Sequence, residues 1–210
     1  MTLEILNSDS GFIPLRNADR VISLLLMLAE KKAAARQDVG GHDYDDCLEG
    51  KVLGLVGFNG SAKILAEKAR LGLGMRVVVF AHGPMDSDFC ATVGYRQAES
   101  LKELLEEADF VSLHCREMAQ SGTVIGAQEL NHMKPDAVVI NTQTPEMVDV
   151  QALVHALWFE TIGGAAFDRH SVPHGLMGAI KHCDNAVVWP SAVGRRPLGY
   201  SDIARREMVA

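Results

Sequence analysis

The stretch that decides the fold is "KVLGLVGFNGSAKILAEKARLGLGMRVVVF", residues 51–80. It begins with a short apolar run, passes through a glycine-containing turn into an amphipathic segment, and ends in a second apolar run. This order predicts a strand, a tight turn, a helix and a second strand. Such a turn cradles a nucleotide phosphate when its sequence is G-x-G-x-x-G. Here Gly57 fills the first glycine position, Asn59 the second and Ala62 the third.

The chain beyond this stretch continues to alternate apolar runs with helical segments. The runs "DFVSLHC", "DAVVINT", "IGGAAFD" and "NAVVWP" read as strands, and segments such as "AESLKELLEEA" and "DVQALVHALWFE" read as helices. Strands that are apolar throughout are buried on both faces, which is typical of a parallel sheet covered by helices. With right-handed crossovers, the pattern predicts a Rossmann-type, doubly wound α/β fold.

A helix is predicted before this alternation begins. The segment "NADRVISLLLMLAEKKAAAR", residues 17–36, has Asn17 as its expected N-cap and is apolar nearly all round in its middle. Such a helix must be buried on several sides, by its own domain or by a second chain. We therefore expect a short N-terminal segment over residues 1–16 and one nucleotide-binding domain over residues 17–210, with the helix as an N-terminal addition to the sheet.

Composition excludes several classes of function. The chain has 210 residues, 48% of them hydrophobic and 22% charged, and its net charge of -7 disfavours nonspecific nucleic-acid binding. No apolar run approaches the roughly 20 residues of a membrane span, and the N-terminus lacks the basic region of a signal peptide. Four cysteines lie scattered without a C-x-x-C pair, so we expect no metal site, reduced thiols and a cytoplasmic location.

The phosphate turn supports two interpretations. A side chain at Asn59 occupies space that a phosphate would use, whereas Ala62 is a mild change. The helix N-terminus still offers free N–H groups to an anion, to which Ser61 could add a hydroxyl. The turn is therefore either a weakened pyrophosphate site or a turn that kept its shape and lost its ligand. The residues concerned are Gly57, Phe58, Asn59, Gly60, Ser61 and Ala62.

The second test of a dinucleotide site is an acid about twenty residues further on, which binds the ribose hydroxyls. The second strand ends "VVVFAHGP", with Ala81 and then His82 where the acid is expected. The clearest mark of NAD preference is therefore missing. His82 either favours the 2′-phosphate of NADP or is an ordinary surface residue.

At this point the chain resembles a known family. The segments "ADRVISLLLMLA", "EADFVSLHC", "ELNHMKPDAVVINT", "LVHALWFETIGGAAFD" and "NAVVWP" are similar to the D-isomer-specific 2-hydroxyacid dehydrogenases, which include phosphoglycerate dehydrogenase. The resemblance runs from about residue 17 to about residue 194. It implies an NAD-binding domain without the substrate domain, which in the family is built mainly from residues that precede it. It also implies a homodimer, because the helix matching residues 17–36 makes dimer contacts in the family.

The family's catalytic residues are an Arg, a Glu and a His. The Arg binds the substrate carboxylate, the His transfers the proton and the Glu orients the His. The resemblance places Thr144 at the Arg position and Ser191 at the His position, and the segment that follows Asp168, "DRHSVPHG", has no Glu. We therefore expect a 2-hydroxyacid dehydrogenase-like domain, binding NAD or NADP weakly or not at all, that lacks dehydrogenase activity on its own.

Two alternatives stay open. In the first, the protein is an active oxidoreductase that uses a partner chain or rewired residues such as Arg169, His170 or Arg195. In the second, it is a non-catalytic dimeric sensor, scaffold or accessory subunit without a bound nucleotide. The resemblance also preserves several cofactor positions, which are His114, Cys115, Asn141, Thr142 and Asp168. Each of these residues could instead serve only to end a strand or cap a turn.

Overall fold

The computed structural model describes residues 9–37, 47–81, 83, 85, 90, 93–115, 122–172, 175–180, 183 and 185–189. Three residues singled out by the sequence, His82, Ser191 and Arg195, lie outside the described residues. The helices are α1 Asp9–Gln37, α2 Gly60–Leu73, α3 Leu101–Glu107, α4 Ala127–His132, α5 Val150–Trp158 and α6 Leu176–Ile180. The strands are β1 Val52–Val56, β2 Arg76–Phe80, β3 Tyr95–Gln97, β4 Phe110–Leu113, β5 Val138–Asn141, β6 Gly164–Asp168 and β7 Ala186–Trp189.

The seven strands form one sheet in the order β3-β2-β1-β4-β5-β6-β7, and every pairing in it is parallel. This order reverses direction between β1 and β4, as it does in a doubly wound sheet that binds a dinucleotide. The predicted Rossmann-type fold is therefore confirmed. The sequence pattern missed β3 and α6, which have only three and five residues and so show no period.

Helices cover both faces of the sheet because side chains of successive strand residues point to opposite faces. On one face, α3, α4 and α5 pack on the sheet through Leu104, Leu130 and Leu153. On the other face, α1 and α2 pack on it through residues that include Leu25 and Leu65. Every residue of β1, β4, β5 and β6 is buried, which explains why these strands read as continuous apolar runs.

The first helix begins earlier than predicted. It starts at Asp9, so the predicted cap at Asn17 is wrong: Asn17 lies inside α1. The later start was predicted because Asn is a favoured N-cap residue; Gly11 and Pro14 also lower the helix propensity before it. Once a helix has formed, however, adding residues to its end costs much less than starting a new one.

Helix α1 is part of the domain's own core. Ala18, Val21, Leu24, Leu25 and Leu28 are at most 3% exposed and pack against α2 and the sheet. The domain itself therefore buries much of the apolar girdle. What remains outside is a narrower stripe, where Leu26 is 44% exposed and Met27 is half-buried.

Candidate functional site

The residues predicted to bind a cofactor lie along one edge of the sheet, at the carboxyl ends of its strands. Gly57 follows β1, His114 and Cys115 follow β4, and Thr142 follows β5. Asp168 is the last residue of β6. Parallel strands bring these ends together, and ligands of such folds bind in the crevice outside them.

The turn after β1 requires glycine at its first position. Gly57 has φ +92°, in the region that disfavours a side chain, and its N–H donates to the carbonyl of Phe80 at 2.7 Å. A Cβ added there would lie 2.8 Å from the backbone nitrogen of Cys115. The turn is thus fixed by close backbone contact with the end of β4, whether or not a ligand is present.

Asn59 caps the helix whose N-terminus would receive a pyrophosphate. Its Oδ1 accepts hydrogen bonds from the backbone N–H groups of Ser61 and Ala62, both at 3.0 Å, and its Nδ2 donates to the carbonyl of His114 at 2.7 Å. Its φ of -84° and ψ of -178° are extended, so this position needs no glycine for its backbone. The side chain therefore occupies donors that a phosphate would otherwise use.

A buried polar chain continues from Asn59 into the protein. The hydroxyl of Ser61 donates to Oδ1 of Asn59 at 2.9 Å and lies 3.1 Å from Nδ1 of His114. Because that hydroxyl's only hydrogen is already donated, Nδ1 carries the imidazole proton and Nε2 accepts from Ser112 at 2.9 Å. The Ser61 side chain, in a residue only 5% exposed, therefore faces inward.

Burial controls both titratable groups after β4. It lowers the pKa of His114 to about 4, so the imidazole is neutral at pH 7. It raises the pKa of the Cys115 thiol to about 11. Neither residue is therefore suited to proton transfer or nucleophilic attack near neutral pH.

The expected ribose end of the cleft follows β2. Ala81 is half-buried there and offers no polar side chain. The loop beyond it is held by Gln97 of β3, whose Nε2 donates to the carbonyl of Gly83 at 2.9 Å and whose Oε1 accepts from the N–H of Met85 at 2.8 Å. Among the described residues, no acid lies at this strand end.

The turn after β5 is shaped by Asn141. Its Nδ2 donates to the carbonyl of Thr144 at 2.8 Å, and its Oδ1 accepts from the N–H of Gln143 at 2.9 Å. The hydroxyl of Ser171 donates to the backbone carbonyl of Asn141 and so joins this turn to the segment after β6. Thr144, which stands at the family's Arg position, is half-buried and brings no cation.

Two buried polar atoms in this turn have no hydrogen-bond partner among the residues that the structure describes: Oγ1 of Thr142 and Nε2 of Gln143. Thr142 is only 8% exposed. A buried hydroxyl or amide without a partner is costly, which makes an external partner the expected explanation at a ligand-binding edge. The residues present thus fit a ligand that supplies hydrogen-bonding groups at the end of β5.

Asp168 is the most deeply placed acid of the cleft and is 1% exposed. Its Oδ1 accepts from the N–H of His170 at 3.1 Å, and its Oδ2 forms an ion pair with Arg20 of α1. Asn141 pairs with Phe167 in the sheet, so the next residues along, Thr142 and Asp168, are neighbours at the carboxyl edge.

Sequence reasoning missed Arg20. Arg20 is the single basic residue within "ADRVISLLL", and a cation in an apolar helix usually has a buried partner. This was the signal in the sequence that could have indicated its ion pair. Arg169 and His170, the candidate substitutes for the missing catalytic residues, are exposed in the turn after β6. The structure therefore brings Arg20, and not these two, to the buried carboxylate.

Among the described residues, no group of His, Cys, Asp and Glu is arranged to hold a metal ion. No helix in that same part of the chain is long and apolar enough to cross a membrane.

Comparison with known proteins gives consistent matches. A family model described as "D-isomer specific 2-hydroxyacid dehydrogenase, NAD binding domain" matches residues 22–190. Glyoxylate reductase of Thermococcus litoralis is 32% identical over 95% of this chain and 64% of its own length. (S)-sulfolactate dehydrogenase of Chromohalobacter salexigens is 40% identical over 63% of this chain and 41% of its own. Among solved structures, the TT0316 protein of Thermus thermophilus aligns with a TM-score of 0.65 and 34% identity, covering 82% of this chain and 56% of that one.

Proposed function

The chain belongs to the D-isomer-specific 2-hydroxyacid dehydrogenase family, as its NAD-binding domain, and on that premise we propose that the cleft at the carboxyl edge of its sheet binds NAD. The observation that carries the proposal is the buried hydroxyl of Thr142 beside Asp168, which has no hydrogen-bond partner in the described part of the chain. The chain spans 64% or less of the length of the relatives described above, so activity of a whole protein is part of the proposal.

The strand order supports a direction for the bound dinucleotide. The phosphate turn follows β1, and the family pattern puts the adenosine ribose beyond β2, near Ala81. The nicotinamide half then extends the other way, over β4 and β5 toward β6. Three strand spacings, about 14 Å, separate β1 from β6. In this arrangement Thr142 and Asp168 would hold the nicotinamide carboxamide.

Two features weaken the proposed site. The cap made by Asn59 takes up two N–H groups of the phosphate turn, and Ala81 leaves the ribose hydroxyls without an acid. We therefore expect dissociation constants in the micromolar to millimolar range. Because the acid after β2 is missing, we also expect that the cleft does not discriminate against NADP.

We also propose that the domain does not catalyse dehydrogenation on its own. Bound NAD would supply a hydride acceptor, but substrate binding and proton transfer need groups from the protein. Thr144 cannot bind a carboxylate as a bidentate cation, and His114 is neutral with both ring nitrogens engaged. A partner chain that supplies these groups is the alternative that keeps the family's reaction.

A second copy of the chain is the proposed partner. Leu26 of α1 and Leu71 of α2 are 44% and 76% exposed, and they line two neighbouring shallow grooves between these helices. An apolar stripe of this kind is what a homodimer contact would cover.

We propose a cytoplasmic location, because all four cysteines are free.

A cofactor titration tests the proposed function. The protein is titrated with NAD⁺, NADH, NADP⁺ and NADPH, and binding is followed by calorimetry and by quenching of tryptophan fluorescence. Saturable heat with at least one of them supports the proposal. No binding of any of them at millimolar concentration would contradict it and favour a non-catalytic protein without a nucleotide. Hydride transfer to a panel of small 2-oxo acids, by this chain alone, would contradict the proposed lack of activity.

A further inference from the structure

We propose that Arg20 sets the preference of the cleft between the oxidised and the reduced form of the nicotinamide cofactor. The inference rests on the proposed function, since it concerns a nicotinamide held beside Asp168. It goes beyond that function because it assigns a specificity role to a residue of α1, a helix that otherwise covers the sheet.

The first step is the position of the ion pair. Arg20 reaches from α1 to the carboxyl end of β6, where its guanidinium pairs with Oδ2 of Asp168. The two side chains are 15% and 2% exposed, so water screens them poorly. Among the residues that the structure describes, Asp168 is the one acid that is buried.

The second step is the charge that this pair presents. The N–H of His170 also donates to the Asp168 carboxylate, which fixes it at the carboxyl end of β6, where Thr142 is the neighbouring residue after β5. With Arg20 in place, carboxylate and guanidinium sum to zero net charge. Without Arg20, a lone carboxylate would face the ligand.

The third step is the chemistry of the cofactor. The nicotinamide ring of NAD⁺ carries a positive charge, and the ring of NADH is neutral. The rest of the molecule is the same in both forms, so a charge near the ring acts on the difference between their affinities. A lone carboxylate favours binding of NAD⁺ over NADH, and a lone guanidinium disfavours it. The neutral ion pair gives a relative affinity between these two cases.

A purely structural role for the ion pair predicts something different. If Arg20 only fastens α1 to the sheet, losing it weakens both cofactor forms together, by loosening the cleft. The discriminating quantity is therefore the ratio of dissociation constants, Kd for NAD⁺ divided by Kd for NADH.

The experiment is a four-protein cycle: wild type, Arg20→Gln, Asp168→Asn, and the double variant. Dissociation constants for NAD⁺ and NADH are measured by calorimetry at constant pH and salt. We expect the ratio to fall about tenfold in Arg20→Gln and to rise about tenfold in Asp168→Asn, from an interaction of a little over 1 kcal/mol between charges several ångströms apart. The double variant, which is neutral again, should return to the wild-type ratio.

Lys68→Gln is the matched control. Lys68 also forms an ion pair with α1, through Asp19, but on the exposed contact between α1 and α2. Its loss should leave the ratio unchanged. If Arg20→Gln leaves Asp168 buried without a partner and does not fold, Asp168→Asn and the double variant decide the question, since one must raise the ratio and the other restore it.

Equal ratios in all the folded proteins would overturn the role of Arg20 and leave the proposed function intact. A wild type that binds neither cofactor form would overturn both. Ratios that shift in the same direction in Arg20→Gln and Asp168→Asn would also overturn the inference, because opposite charges must act in opposite directions.

Discussion

Replacing Asn59 by glycine should both loosen the phosphate turn and open it to a ligand. The substitution restores the second glycine of the G-x-G-x-x-G pattern and removes a carboxamide that makes four hydrogen bonds. The backbone at this position is extended, so glycine fits without rearrangement. The N–H groups of Ser61 and Ala62 would then be free to bind a pyrophosphate.

The expected magnitudes follow from these bonds. Changing an N-cap residue to glycine costs a few tenths of a kcal/mol, and losing the bond to the His114 carbonyl costs about 1 kcal/mol more. For a domain of this size, the combined loss lowers the melting temperature by about 3–5 °C. In the wild type a phosphate must displace this cap, which costs the same sum of about 1.4 kcal/mol. Asn59→Gly should therefore bind NADH about tenfold more tightly.

Calorimetric titration with NADH and thermal unfolding in its absence measure the two effects separately. Ser100→Gly is the matched control, because Ser100 caps α3, after the edge strand β3, by accepting from the N–H of Glu103 at 3.1 Å. It should lose stability without any change in affinity. Asn59→Asp should keep an acceptor for the two N–H groups, lose the bond to the His114 carbonyl, and bind NADH more weakly than the wild type because it adds a negative charge. An Asn59→Gly protein that is less stable but has the wild-type Kd would refute competition between cap and phosphate.

Three further predictions concern the same framework. The wild type should lose about 3 kcal/mol of unfolding free energy between pH 6.5 and pH 4. The pKa of His114 is about 4 in the folded state and 6.5 in the unfolded state, so the unfolded state takes up the proton first as the pH falls. His114→Gln should abolish this loss, as measured by urea unfolding. Gly57→Ala should cost about 3 kcal/mol on the same assay at pH 7, because its Cβ would meet the backbone at Cys115 and its φ is positive. Leu26→Glu with Leu71→Glu should convert the proposed dimer into a monomer by light scattering, with unchanged circular dichroism; a wild-type monomer would contradict the dimer itself.

The sequence predicted the parallel sheet well, because strands buried on both faces leave an apolar signal that does not depend on their order. It also located the turn after β1 and the strand ends that carry Asn141, Thr142 and Asp168. These positions follow from where an apolar run stops, which is a local property of the chain.

The sequence did not predict how these residues bond to one another. Asn59 was expected to obstruct a phosphate by its bulk, whereas it satisfies the helix N-terminus with its own oxygen. Arg20 and Asp168 are separated by 148 residues, and no spacing rule connects them. The predicted start of α1 was wrong for a related reason: a capping residue such as Asn17 reports a local preference, whereas a helix end depends on the whole segment.

The placement of α1 has a consequence for what counts as the smallest folding unit. Leu24 and Leu25 of α1 lie over the same face of the sheet as Ile140, Ala166 and Val187 of β5, β6 and β7. On that face, these strands are therefore covered by residues that come before β1 in the chain. A fragment that begins at Lys51, where the recognisable nucleotide motif starts, would carry every strand and still expose that surface. The boundary read from the motif and the boundary of cooperative folding are therefore about forty residues apart.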